Sequence, residues 1–223
     1  MTRYDRSSIK LAVGLAALAD YVDASGFLAT GGLFVSFMSG NSSRFAVQLS
    51  EGKFELAGLT LGVLGLFVTG VVLGSLISRV SAARRKAAVL FFVGTCLSIA
   101  AVLYGLGQQR ASTAFLILAM GAENTVFQRD GEVTIGLTYM TGTLVKLGQQ
   151  IAGMFFGGPR DGWLRYALSW GGLVTGAVLG ALGHAKFEHY SLWPAAAAAF
   201  AFVFVANRLQ SAESEPARPN DQA

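Results

Sequence analysis

Long apolar runs alternate with short polar segments along this chain, and most of the runs have the length of a membrane span. The predicted spans cover about residues 9–28, 56–78, 87–106, 113–127, 163–182 and 192–205. A helix of about 20 apolar residues crosses the hydrocarbon core of a bilayer, which is about 30 Å thick. The pattern therefore predicts an all-α integral membrane protein with six transmembrane helices.

Two further stretches, about residues 33–49 and 136–156, begin apolar but carry polar residues in the middle. The first is interrupted at Ser39-Gly40-Asn41 and the second at Thr141-Gly142-Thr143. Both stretches are too polar for ordinary spans and too apolar at the start for ordinary loops. We predict two broken or re-entrant helical segments, and leave open whether they cross the membrane fully.

The two interrupted stretches are copies of one another. Ser36-Phe37-Met38-Ser39-Gly40 recurs as Thr138-Tyr139-Met140-Thr141-Gly142, 102 positions later (36 to 138). A second pair, Val68–Gly74 and Val174–Gly180, shares a Gly-x-x-x-Gly pattern, which lets helix backbones approach closely in lipid. An internal repeat of this kind determines the architecture. We predict one membrane domain, 1–208, with repeat one at about 9–106 and repeat two at about 111–208.

The distribution of basic residues favours a topology, because loops on the cytoplasmic side carry an excess of Lys and Arg. If the interrupted stretches do not cross, the cytoplasmic side carries Arg3, Arg6, Lys10, Arg79, Arg84, Arg85, Lys86, Arg129, Arg160, Arg165, Arg208 and Arg218, and the other side Lys53, Arg110 and Lys186. Eight crossing segments would give a much weaker asymmetry. Three spans per repeat is an odd number, so the prediction is an inverted 3+3 repeat. Both termini would be cytoplasmic, and 209–223 would form a disordered cytoplasmic tail.

The chain also resembles a known family. Residues 20–24, Gly26-Phe27 and 31–41 look like the first signature of the YoaK-like family of bacterial multi-pass membrane proteins, whose domain has no assigned function. Residues 138–144 resemble its second signature, and the resemblance covers about residues 8–208. At Glu123-Asn124 this chain departs from the Gln-Asn that is more frequent in the family, which adds a charge. The resemblance implies a location in the membrane, which we expect to be the bacterial inner membrane.

Composition supports a membrane protein and excludes several functions. Hydrophobic residues make up 53% of the 223 residues and charged residues only 13%, about half the usual share in soluble domains. The net charge of +4 comes from short loops and does not indicate nucleic-acid binding. The single cysteine, Cys96, lies in an apolar run and is expected to pack there. Catalytic motifs with a phosphate-binding loop, a zinc-binding helix or a nucleophilic serine are absent.

Polar residues inside the spans and at the breaks are the candidates for chemistry. Ionisable side chains are costly in a bilayer and usually mark a solute or ion path, or pair with each other. Backbone and hydroxyl groups freed at a helix break can bind a polar solute. The predicted substrate-binding residues are Asp20, Asp23, Ser39, Gly40, Asn41, Arg44, Glu123, Asn124, Thr141, Gly142 and Lys146. We further expect Asp20 or Asp23 to form a salt bridge with Arg44 or Lys146.

The sequence favours a transporter or channel for a small polar or charged solute, with a central site between two inverted repeats. The alternative is a membrane scaffold or accessory subunit that does not transport, in which the same charges act as internal struts. We expect no catalytic activity, no cofactor and no metal. The expected partners are the lipid bilayer and an unidentified small solute, with homo-oligomerisation left open and no nucleic acid.

Overall fold

The computed structural model describes residues 6–129, 132–133, 140–159 and 162–214 of the chain, and it is almost entirely helical. The helices are α1 (Arg6–Thr30), α2 (Met38–Ser50), α3 (Phe54–Val80), α4 (Arg85–Gly105), α5 (Gln109–Glu123), α6 (Met140–Met154), α7 (Leu164–Phe187) and α8 (Trp193–Ser214). Short 3₁₀ turns at Ala82–Arg84 and Glu188–Tyr190 join neighbouring helices. The strands β1 (Gln128–Arg129) and β2 (Glu132–Val133) form one small antiparallel pair.

Four segments in the described part of the chain are long and apolar enough to cross a membrane. They are Ile9–Thr30, Phe54–Val80, Arg85–Gly105 and Leu164–Tyr190. The segment in α3 has only 22% of its residues buried inside the protein, and large apolar side chains such as Leu59, Leu61 and Val68 are exposed along it. A water-facing helix would not present such a continuous apolar surface. The chain is therefore a multi-pass membrane protein.

The core lies mainly along α1, α4, α5 and α8. Leu15 and Val22 of α1, Leu97 of α4 and Met120 of α5 are completely buried, and Ala199 of α8 packs among them. The outer helices, α3 and α7, lie at the sides of this core and expose more of their surface.

Glycines bring α1 and α7 into backbone contact. A Cβ at Gly176 would overlap the carbonyl oxygen of Ala17, and a Cβ at Gly180 would overlap that of Tyr21. Residue numbers increase together along this contact, so α1 and α7 run parallel. Ser25 adds a hydrogen bond across the same interface, from its hydroxyl to the Gly180 carbonyl at 3.1 Å.

The other copy of the Gly-x-x-x-Gly pattern, at Gly70 and Gly74, forms a matching contact between α3 and α5. Gly70 lies against the backbone of Leu118, and a Cβ at Gly74 would be 2.9 Å from the Cα of Ala122. Gly121 of α5 lies against the backbone of α3 in turn, near Phe67. The numbers again increase together, so α3 and α5 run parallel. Both patterns therefore lie at close helix contacts, as the sequence predicted.

The helices α1 and α5 run in opposite directions. A narrow space near one end of the bundle has Ser25 and Ala29 of α1 beside Ser112 and Leu116 of α5. Further from that end, Asp20 interacts electrostatically with Glu123. As the numbers fall along α1 they rise along α5, which is the antiparallel arrangement.

The first helix break lies earlier than the sequence indicated. Gly40 and Asn41 belong to α2, and the irregular segment is 31–37. Gly31 and Gly32 have φ values of 69° and 117°, a region that side chains with a Cβ rarely adopt, so they end α1 and turn the chain. In the second stretch, Thr141 and Gly142 belong to α6, while 134–139 lie outside the described residues.

The last helix extends beyond the predicted start of the tail at residue 209. α8 continues to Ser214, and Leu209 packs against the core. The side-chain oxygen of Gln210 accepts a 3.5 Å hydrogen bond from the backbone N–H of Ala87 at the start of α4. Residues 215–223 of the predicted tail lie outside the described residues.

Candidate functional site

Two adjoining cavities lie where the copies of the repeated motif meet. Their volumes are about 450 Å³ and 430 Å³, enough for a small solute. Ser36, Phe37, Met140 and Thr141 line both cavities. The wall between the cavities is therefore built from the same motif in both copies, although the two stretches are about 100 positions apart in the chain.

The first cavity is the more polar of the two in its lining side chains. Beside the shared residues it is lined by Ser39 at the start of α2 and by Asn124 and Thr125 at the end of α5. The Asn124 amide donates to the Met120 carbonyl at 2.9 Å, and the Thr125 hydroxyl donates to the Ala122 carbonyl at 2.8 Å. These local bonds fix both side chains at the end of the helix, where their polar atoms border the cavity.

The second cavity contains two of the predicted acids. Asp20 and Asp23 lie on one face of α1, three residues apart, and both line this cavity. The opposite wall includes the small side chains of Ala177 and Ala181 from α7. Phe34 and Phe37 complete the wall and touch edge to face, with ring centroids 5.2 Å apart. The result is an apolar space with two carboxyl groups on one side.

Asp23 fixes the irregular segment 31–37 against α1. Its Oδ1 atom accepts hydrogen bonds from the backbone N–H groups of Val35 and Ser36, both at 2.7 Å. Val35 and Ser36 are both buried, at 0% and 3% exposure. In the apolar interior, an N–H group without an acceptor would be costly. Asp23 is thus a structural anchor as well as a cavity residue.

Asn41 and Arg44 bind the same segment from α2. The Asn41 amide accepts from the Phe34 N–H at 3.1 Å and donates to the Phe34 carbonyl at 2.7 Å, and the residue is fully buried. The Arg44 guanidinium donates to the Gly32 carbonyl. Neither side chain lines either cavity. Among the predicted substrate-binding residues, these two instead close the turn that precedes α2.

The expected salt bridge between α1 and the motif cations is wrong. In the described part of the chain, the only salt bridge is Lys53 to Glu51, at 2.7 Å near the surface. Arg44 is directed to a backbone carbonyl, and Lys146 is exposed on α6. The repeat placed both cations near the breaks, but Arg44 binds the backbone that follows α1 and Lys146 lies on the exposed surface of α6.

Glu123 is the most deeply buried acid of the described residues. It is 1% exposed, and neither carboxyl oxygen has a hydrogen-bond partner among the described residues. The Oδ2 atom of Asp20 is also buried without such a partner. Asp20 interacts electrostatically with Glu123 across the α1–α5 contact.

The remaining predicted residues are less central. Gly40 lies under the rings of Phe37 and Phe34, where a Cβ would overlap, and Gly142 is exposed on α6. Sequence reasoning did not select Ser36, Thr125 and Met140, which line the cavities. Ser36 and Met140 belong to the repeated motif, and Thr125 follows Glu123-Asn124, so their positions in the sequence were a usable signal.

The comparisons with known proteins agree with the membrane fold. The model of the family described as Protein of unknown function (DUF1275) matches residues 11–205. The chain belongs to this family. It is similar to the UPF0700 transmembrane protein RA0705 of Rhizobium meliloti (strain 1021), with 34% identity over 190 residues, 84% of this chain and 82% of the relative.

A second relative carries the name suggested by the motif resemblance. The UPF0700 transmembrane protein YoaK of Bacillus subtilis (strain 168) is 27% identical over 194 residues, which cover 80% of this chain and 85% of the relative. No solved structure matches the chain at a significant level. Membership of a YoaK-like membrane family is therefore confirmed, and the family brings no assigned activity.

Proposed function

We propose that this protein is a transporter or channel that moves a small polar or charged solute through the two central cavities. The observation that carries the proposal is the shared cavity wall, because Ser36-Phe37 and Met140-Thr141 come from the two copies of one motif. In membrane proteins, irregular backbone persists where it is buried in protein or lines a wet cavity. Solute sites at the interface of two repeats are a common transporter plan.

The proposal includes six spans in an inverted 3+3 repeat, and the helix directions support it. α1 runs antiparallel to α5, and α3 runs parallel to α5, so α1 and α3 have opposite directions. α2 therefore joins two oppositely directed helices without a net crossing. α7 runs parallel to α1, so α5 and α7 are opposed across α6 in the same way. The first helices of the two repeats, α1 and α5, thus point in opposite directions.

We place both termini in the cytoplasm and the protein in the inner membrane. The orientation can be tested with a reporter fused after Ala83 and another fused after Ala223. Both fusions should report the cytoplasm, because Arg79, Arg84, Arg85 and Lys86 lie in the loop between α3 and α4. An extracytoplasmic signal at Ala83 would contradict the six-span arrangement and favour eight crossing segments.

Water access to the cavities is the first test of transport. In a Cys96→Ala background, which has no other cysteine, Ser39→Cys and Thr141→Cys should react with a water-soluble, membrane-impermeant maleimide. A matched Leu61→Cys, exposed on the apolar surface of α3, should stay unlabelled because a thiol in lipid does not ionise. If neither cavity position reacts with the maleimide, the centre of the protein is dry and the proposal is contradicted.

The solute can then be sought with an uptake screen. A strain without this gene would be complemented with the wild-type protein, with Thr141→Trp, which fills the shared wall, or with Leu61→Trp as a control. We expect one class of small polar metabolite to enter or leave with the wild type and the control but not with Thr141→Trp. Identical metabolite profiles for all three would argue against transport.

A non-transporting scaffold is the second candidate. The favouring observation is that Asp23, Asn41 and Arg44 bind the backbone of 31–37, as internal struts would. A scaffold would tolerate Thr141→Trp in the uptake screen and would not admit the maleimide. In neither function do we propose a catalytic step or a bound cofactor.

A further inference from the structure

We propose that Asp20 and Glu123 form a proton-binding site at the middle of the membrane, in which at least one carboxyl is protonated at neutral pH. Asp20 is the twelfth residue of the span that begins at Ile9, so it lies about 16 Å along a helix that rises about 1.5 Å per residue. This is about halfway through a hydrocarbon core of about 30 Å. The two acids lie on α1 and α5, which pack against each other, and they interact electrostatically.

The first argument is the absence of hydrogen-bond partners. Asp20 is 8% exposed and Glu123 is 1% exposed, so both side chains are more than nine-tenths buried. Within the described residues, Asp20 Oδ2 and both oxygens of Glu123 have no hydrogen-bond partner. An ionised carboxylate needs several donors or a cation, whereas a protonated carboxyl is neutral and tolerates an apolar setting. A bound proton is the smallest ligand that resolves this arrangement.

The second argument is the identity of the surrounding charges. Asp20 interacts electrostatically with Asp23 on the same helix, and Glu123 interacts electrostatically with Asp20. The charged neighbour of each carboxyl group is therefore another acid. Two adjacent carboxylates cannot both remain ionised in a medium of low polarity. The Tyr21 hydroxyl on the same helix is directed away and donates to the Ser191 carbonyl at 2.6 Å.

The helices packed against α1 and α5 supply no counter-ion in the described part of the chain. Apart from the acids and Tyr21 discussed above, the described ionisable side chains on these helices are Lys10 of α1, Glu55 and Arg79 of α3, Arg85, Lys86, Cys96 and Tyr104 of α4, Arg110 of α5, Arg165, Tyr166, His184 and Lys186 of α7, and Arg208 of α8. None forms a salt bridge with Asp20 or Glu123. The Nζ of Lys86 lies over the Phe127 ring, 5.9 Å from its centre.

The cavity supplies a path for the proton. Asp20 lines the second cavity, whereas Glu123 lines neither. A proton would leave the carboxyl O–H of Asp20 for water or solute in that cavity, while Glu123 keeps its proton in its apolar surroundings. Asp20 is therefore the member of the pair that exchanges a proton with the cavity, and Glu123 is its buried neighbour.

This inference rests on the proposed transport function and adds its energy source. Proton binding would be coupled to solute movement through the wall formed by Ser36 and Thr141, which the second cavity shares with the first. The group that titrates and the wall that meets the solute border the same space. Transport should consequently depend on the proton gradient as well as on the solute gradient.

The test is infrared spectroscopy of the purified full-length protein in lipid, titrated with acid and base in the absence of solute. The wild type should show the carbonyl stretch of a buried protonated carboxyl at neutral pH, and this band should disappear reversibly at alkaline pH. Asp20→Asn and Glu123→Gln should each shift or halve the band, and the double variant should lack it. Glu55→Gln, which removes an exposed carboxyl from α3, should leave it unchanged.

Three results would overturn the proposal. The wild type could show no such band, the double variant could retain it, or sodium ions at neutral pH could abolish it, which would assign a cation site instead. Should the double variant fail to fold, the two single variants still decide the result. The spectroscopic test uses no solute, so a missing band rejects the proton site and leaves the transport proposal standing. A band that is present, together with no uptake in any screen, rejects the transport proposal and leaves the proton site standing.

Discussion

A Gly176→Leu variant is expected to lose most of its folded population in detergent. The Gly176 Cα lies against the backbone carbonyl of Ala17, and any Cβ there would overlap that oxygen. Backbone atoms on two packed helices cannot move aside as a flexible side chain can, so α1 and α7 would have to separate. The loss should be at or above the upper end of the roughly 1–3 kcal/mol typical of overpacked sites. Thermal unfolding followed by size-exclusion chromatography measures it.

The same helix offers a matched control. A Cβ at Gly171 would meet no neighbouring atom of the described residues within 4 Å, so Gly171→Leu should melt close to the wild type. On α3, Gly70→Leu and Gly65→Leu form the equivalent pair, since a Cβ at Gly70 would meet Leu118 and one at Gly65 would enter a similarly open space. Equal melting temperatures for the variants at the tight and the open positions would mean that these contacts do not hold the helices together.

These close contacts show why much of the fold could be predicted from the sequence. A helix in lipid must be apolar over its length, so hydrophobic runs indicate most of the elements directly. Close packing needs small residues at a spacing of four, and Gly70-x-x-x-Gly74 recurs as Gly176-x-x-x-Gly180. The central site predicted between the repeats included Ser39 and Thr141, and both line the first cavity.

The partners of the polar residues could not be predicted in the same way. Asn41 and Arg44 have the chemistry to bind a solute, but equally the chemistry to bind a free backbone group. Which they bind depends on the turn at Gly31-Gly32, whose positive φ values end α1 and leave the carbonyl of Gly32 and the N–H and carbonyl groups of Phe34 without helical partners. The spacing of residues in the sequence gives their types but not this local geometry, so the predicted ion pair was wrong.

Asp23→Ala is expected to destabilise the protein by about 2–6 kcal/mol, because it removes the acceptor for two buried N–H groups at about 1–3 kcal/mol each. Those groups belong to Val35 and Ser36, both bonded at 2.7 Å to the Oδ1 atom. Segment 31–37 should loosen and the shared cavity wall with it, so protease sensitivity near Phe34 should rise as the melting temperature falls.

Asp23→Asn separates this anchoring role from a role of the charge. Both hydrogen bonds end on one oxygen, and an asparagine amide retains that acceptor, so the variant should lose less than half of what Asp23→Ala loses. A salt bridge would give no such difference, because the amide would strand a cation as completely as alanine does. If Asn and Ala prove equally destabilising in melting experiments at neutral pH, the negative charge of Asp23 holds the segment. An Asn variant close to the wild type assigns that task to the two backbone hydrogen bonds.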